Sequence, residues 1–283
     1  MIRRREFLAS GLLLSGLFRV AAVQSAEPYR IGLTPVLLED RVAFLKRWRA
    51  YLAEKLGAPV EFVQRASYQE ITDLLLRGHL DLAWLCGYPY ALHADRLGLL
   101  AIPLYAGRPL YRSYILVWDE DSTSRALTDL EGRIFAFSDP LSNSGYLFPQ
   151  YVLSVLQFRP EQFFRRTFFT WSHRRVIEAV AAGLAEAGAV DGYVWDMLSR
   201  QRPDITDRTR IVERSPYFGF PPLVTGTQLS PPRREKLSRV FLTMHEDPEG
   251  RDLLEQLGLT GFTRGERSDY DDILLMAEEL RRV

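Results

Sequence analysis

Residues 137–146 read Phe-Ser-Asp-Pro-Leu-Ser-Asn-Ser-Gly-Tyr. The string follows an apolar segment, 134–137, that reads as a buried strand, and it runs into a segment, 145–157, that reads as a helix. Ser142 and Ser144 are natural helix N-caps. Gly145 lets the backbone come close to a ligand. Free backbone N–H groups and the positive end of the helix would then face one point. That arrangement binds an anion without a Lys or Arg. The glycine spacing and lysine of a nucleotide-binding loop are missing. The same residues also fit an ordinary capped loop, and their chemistry alone leaves both readings open.

Other residues could join such a site. His173 ends the run Trp171-Ser172-His173, between a strand at 168–171 and a helix at 173–183. It can donate to the same anion or stand as a surface histidine. If it donates as imidazolium, affinity should fall as pH rises through its titration. Asp191 ends a short apolar strand, 187–191, and either orients a donor or caps the next turn. Tyr68 opens one helix and Tyr111 opens a long alternating segment. Each offers a phenol to a cleft or packs half-buried. Cys86, in Trp84-Leu85-Cys86-Gly87, is a small core residue or, if accessible, a soft-ligand thiol.

Several chemistries lack their residues. The four histidines (79, 93, 173 and 245) have no metal-ligand spacing. Neither a Gly-x-Ser-x-Gly elbow nor a His-Glu-x-x-His pair occurs. A single cysteine excludes an intramolecular disulfide framework. No metal, no cofactor and no catalytic set is expected, so the chain reads as a non-enzyme.

The elements that would hold these residues alternate. Strand 29–34, helix 42–56, strand 60–63, helix 68–77 and strand 80–85 have the rhythm of a parallel sheet with crossover helices. Residues 111–118 read as one strand crossing to a second β-α-β series. The chain crosses back near 222–226, and 230–283 reads as helical. The expected fold is α/β, two lobes with a cleft at the strands' carboxyl ends. The expected boundaries are 27–117 and 223–283 for the first lobe and 118–222 for the second.

Apolar residues make up 47% of the 283 residues and charged residues 25%, which excludes wholesale disorder. Equal numbers of basic and acidic residues, 36 each, argue against a nucleic-acid binder. Residues 3–5 are Arg-Arg-Arg, followed by an apolar stretch to about Val23 and small residues at Ser25 and Ala26. That is the build of an export signal, and Arg4-Arg5-Glu6-Phe7-Leu8 resembles the twin-arginine type. Cleavage near Ala26 would remove Arg3, Arg4, Arg5, Arg19 and Glu6 and leave an exported chain of net charge about −3.

Taken in order, these strings resemble the periplasmic phosphate/phosphite/phosphonate-binding family, the type II solute-binding proteins of ABC importers. The resemblance runs from Tyr68 through Gly78-His79-Leu80-Asp81-Leu82-Ala83-Trp84. It continues over Leu130 to Pro140 and Ser142-Asn143-Ser144-Gly145-Tyr146, then reaches Ser172-His173 and Val190-Asp191. It covers most of residues 29–226. It implies a hinged, two-lobe fold that closes on one small oxyanion, an ABC permease as partner and a monomeric state. Ser142, Asn143 and Ser144 would bind oxyanion oxygens, His173 and Asp191 would join them, and Tyr68 and Tyr111 would close from the other lobe. Members that bind an aminoalkyl phosphonate use acids for the ammonium group. One acid position falls near Gly219-Phe220-Pro221, where this chain has Phe220, and the other near Trp195-Asp196. Asn143 stands where threonine is common, which leaves the ligand's identity open. Other relatives are sensors that signal to a membrane histidine kinase, and arsenite-sensing members use a cysteine. Cys86 keeps that second reading.

Overall fold

A computed structural model describes residues 26–34 and 42–282. The expected export signal lies outside these residues. The chain first builds β1 (Tyr29–Leu33), α1 (Val42–Leu56), β2 (Val60–Gln64), α2 (Tyr68–Leu76), β3 (Leu82–Trp84), α3 (Gly87–Leu92) and β4 (Leu97–Tyr105). The short β5 (Leu110–Tyr111) leads to β6 (Ser113–Trp118), β7 (Ile134–Phe137), α4 (Phe148–Val155), α5 (Pro160–Phe163) and β8 (Arg166–Phe169). Next come α6 (His173–Ala181), β9 (Ala187–Asp191), α7 (Gly192–Gln201), α8 (Pro203–Thr206) and β10 (Thr209–Arg214). The return passes through β11 (Phe218–Gly219) to β12 (Leu223–Gly226), α9 (Pro231–Leu242), α10 (Pro248–Gln256), β13 (Leu259–Thr263) and α11 (Asp271–Arg282).

Two mixed sheets result. The first has six strands in the order β13-β4-β12-β3-β1-β2, the second five in the order β10-β6-β9-β7-β8. β1 is parallel to β2 and β3, and β7 is parallel to β8 and β9. These are the βαβ units that the alternating pattern predicts. The strands beside each crossing, β12 and β6, run antiparallel to their neighbours. The chain therefore has the expected two-lobe α/β architecture, and β5 and β11 pair as an antiparallel ribbon where it crosses between lobes.

The expected boundary at 117/118 is displaced. Residues 111–118 are two strands with different partners: Tyr111 pairs with Phe218 of the ribbon, whereas Ser113 pairs with Asp191 of the second sheet. β6 thus belongs to the second lobe, and the crossing lies at 106–112. β4 and β13 fall in stretches not expected to form strands. β4 shows no alternation and carries Gly98 and Pro103. β13 has only five residues, inside a segment that otherwise reads as helical.

Each lobe has its own apolar filling. In α1, Phe44, Trp48, Leu52 and Leu56 recur at i, i+4 and are all buried. Trp48 meets Phe62 at 5.3 Å and Trp84 at 6.2 Å between ring centroids. In the second lobe Phe135 stacks on Phe164 at 4.3 Å. Burying a side chain of this size stabilises the fold by about 1.5–3 kcal/mol.

Candidate functional site

The site residues come from the carboxyl ends of the parallel strands. β2 leads to Tyr68, β3 to Cys86, β7 to the 138–144 loop, β8 to His173, and Asp191 ends β9. Ser142, Asn143 and Ser144 are buried, as are Tyr68, Tyr111, His173, Asp191 and Cys86. The structure therefore gathers all eight candidates into one enclosed region.

Ser142 caps the turn that follows: its Oγ accepts the Gly145 N–H at 3.0 Å. Residues 143–147 form one π-helical turn that continues into α4. Gly145 has no substitute here. A Cβ added to it would lie 1.9 Å from Ser138 Oγ and 3.0 Å from His173 Cε1. The Ser144 carbonyl accepts the Ser113 hydroxyl at 2.6 Å, which ties the loop to β6.

His173 is held as a neutral ring. The Asp191 backbone N–H donates to its Nδ1 at 3.0 Å. Nδ1 then carries no hydrogen, so the single ring N–H sits on Nε2, 3.4 Å from Ser142 Oγ. Burial pushes the His173 pKa down to about 3. The imidazolium expectation is thereby corrected: buried among neutral groups, the ring offers a neutral N–H. Asp191 does two things at once. Its backbone orients His173, and its carboxylate oxygen accepts the Tyr193 N–H at 2.8 Å as the N-cap of α7. Burial pushes this carboxyl up to about 8, against the pull of the N–H groups of Tyr193 and Val194.

The opposite wall comes from the first lobe and the ribbon. Asn143 Nδ2 donates to Tyr111 Oη at 3.0 Å, and the Asn143 N–H donates to Cys86 Sγ at 3.3 Å. Burial pushes the Cys86 thiol up to about 11, so it is un-ionised at neutral pH. At 4% exposed it is also not the accessible thiol that a soft-ligand role requires. Burial raises the Tyr68 and Tyr111 phenols well above their ordinary range, so both remain hydrogen donors.

Ser138 and Asp139 lie in the quoted string, yet their types gave no reason to choose them. Ser138 Oγ and Asn143 Oδ1 are buried and unpartnered among the described residues, and Ser144 Oγ is buried within reach of the Tyr111 phenol. Asp139 is 1% exposed; its Oδ1 accepts the Leu141 N–H at 2.7 Å and its Oδ2 the Tyr68 N–H at 3.0 Å. The usable signal was position: both residues immediately follow a buried parallel strand. Where an amine-reading acid would stand, Phe220 is fully buried against Tyr105, Tyr111 and Tyr193. The other position, Asp196, accepts the hydroxyls of Tyr105 at 2.7 Å and Tyr114 at 3.3 Å. No group of three His, Cys, Asp or Glu side chains among the described residues is placed to hold a metal.

This chain is similar to several known proteins. A phosphonates-binding periplasmic protein of Escherichia coli is 26% identical over 226 residues, 76% of this chain and 66% of that protein. A phosphate-import protein, PhnD, of Mycolicibacterium smegmatis is 34% identical over 104 residues, 35% of this chain and 32% of that protein. The matched stretch is less than two thirds of the length of either relative. The solved structure of PhnD1 from Prochlorococcus marinus, in complex with methylphosphonate, superposes with a TM-score of 0.81 at 19% identity, over 90% of this chain and 99% of that one. The fold is thus the type II periplasmic-binding fold. Residues 31–270 match the model of the family described as ABC transporter, phosphonate, periplasmic substrate-binding protein, and the chain belongs to that family.

Proposed function

We propose that this protein is the periplasmic binding component of an ABC importer. It captures a compact phosphorus oxyanion, such as phosphate, phosphite or a small phosphonate, between its lobes. The observation that carries this reading is the enclosed cluster of neutral donors, Ser138, Ser142, Ser144, His173 Nε2, Tyr68 and Tyr111, in which the Ser138 hydroxyl is unpartnered among the described residues. Neutral hydroxyl and imidazole donors bind an oxyanion without a counter-cation, each such bond being worth about 1.5–3 kcal/mol; the expected free N–H groups of the helix start are largely taken, that of Asn143 by Cys86 Sγ and that of Gly145 by Ser142 Oγ. Phe220 and the engaged Asp196 argue for a ligand without an ammonium tail. No nucleophile–base pair in reach of the cluster suggests turnover, since His173 Nδ1 is occupied by a backbone N–H. The sensing alternative gains no support: the relatives are named as binding and import proteins, and Cys86 is enclosed. Export, a permease partner and a monomeric state belong to the same proposal.

A thermal-shift screen of the mature protein tests it. Phosphate, phosphite or methylphosphonate at 100 times its dissociation constant should stabilise the fold by about 2.7 kcal/mol, a shift of several degrees. Stabilisation by arsenite alone would move the site to Cys86.

A further inference from the structure

Asp139 is a carboxylate at the edge of a site built for an anion, and its bonds lead away from that site. It follows β7 of the second lobe. The N–H it accepts through Oδ2 belongs to Tyr68, the first residue of α2, which packs on the first sheet. That N–H is one of the unpaired donors at a helix start, where a negative charge is stabilised. The α2 N-cap, Ser67, already serves the Glu70 N–H in a reciprocal capping box. Asp139 therefore adds a cap from across the cleft, 71 positions away in sequence. Its Oδ1 meanwhile holds the Leu141 N–H and so shapes the loop that ends in Ser142.

We propose that Asp139 is a positioning residue that latches the two lobes together, so that closure of the cleft and the shape of the 138–144 loop are set by one side chain. The latch acts whether or not an oxyanion is present, and its effect on ligand release rests on the binding reading above. Serine at 139 can still accept from Leu141 in a local turn but does not reach Tyr68. Asparagine keeps the length and loses the charge.

The test uses the mature chain carrying spin labels at Glu54→Cys in the first lobe and Leu184→Cys in the second, both well exposed. Interlobe distances are measured without ligand and with methylphosphonate, alongside its association and release rates. Asp139→Ser should lose the short-distance population expected of the native protein without ligand and release methylphosphonate about tenfold faster or more, with association no slower. Asp139→Asn should fall between Asp139→Ser and the native protein. Unchanged distances and release rates in Asp139→Ser would overturn the latch, as would a loss confined to thermal stability. If the native protein binds no methylphosphonate, the ligand-free distances still decide the latch, and that failure counts against the oxyanion reading.

Discussion

Which groups carry charge at His173 and Asp191 sets how binding should respond to pH. His173, lowered from 6.5 to about 3, stays neutral, so its titration contributes no slope near neutrality. Asp191, raised from 3.8 to about 8, keeps its proton at neutral pH and presents no like charge to an oxyanion. Above about 8 it ionises and repels the ligand. Affinity for methylphosphonate, corrected for the ligand's own ionisation, should be flat from about pH 5 to 7.5 and then fall by up to about tenfold per unit. Asp191→Asn should remove the fall. A slope centred near 6.5 would restore an imidazolium at His173 and contradict the assignment. Stability follows the same signs. The lowered His173 contributes stability above 6.5 that is lost as pH falls toward about 3. The raised Asp191 contributes stability below 3.8 that is lost as pH rises toward about 8. Ser142, Ser144 and His173 were legible because caps and strand-end donors are local signals. Ser138 and Asp139 were not, because what they do depends on neighbours far away in sequence.

At the scale of elements, the βαβ units were legible from their alternation, and the crossing was not. Residues 111–118 have one apolar pattern shared by two strands, and only the partners Phe218 and Asp191 distinguish them. β4 escaped because it is largely buried and has no alternation to read, and β13 because it lies inside a stretch whose pattern otherwise reads as helical. The ribbon between lobes is held by aromatic packing. Phe220 contacts three tyrosine rings, and its carbonyl accepts the Tyr270 hydroxyl at 2.7 Å. Phe220→Ala should destabilise the protein by about 3–5 kcal/mol, as expected for a fully buried ring whose neighbours cannot collapse. Urea unfolding monitored by tryptophan fluorescence reads this directly. A cost under about 1 kcal/mol would mean that the ribbon is loosely packed.

For the whole molecule, the closed arrangement of two lobes around neutral donors is the claim on which the function depends. Contacts from both sides, Tyr68 to Asp139 and Asn143 to Tyr111 and Cys86, close the cleft over the serine loop. A ligand that completes this arrangement selects the closed state. The most direct measurement is titration calorimetry of the mature protein and its Ser142→Ala variant against phosphate, phosphite and methylphosphonate, with sulfate and 2-aminoethylphosphonate as comparisons. At least one compact phosphorus oxyanion should bind the native protein, more tightly than the aminoalkyl compound, and Ser142→Ala should weaken it by about 10- to 150-fold. Absence of binding by every phosphorus oxyanion, or equal affinity in the variant, would contradict the account.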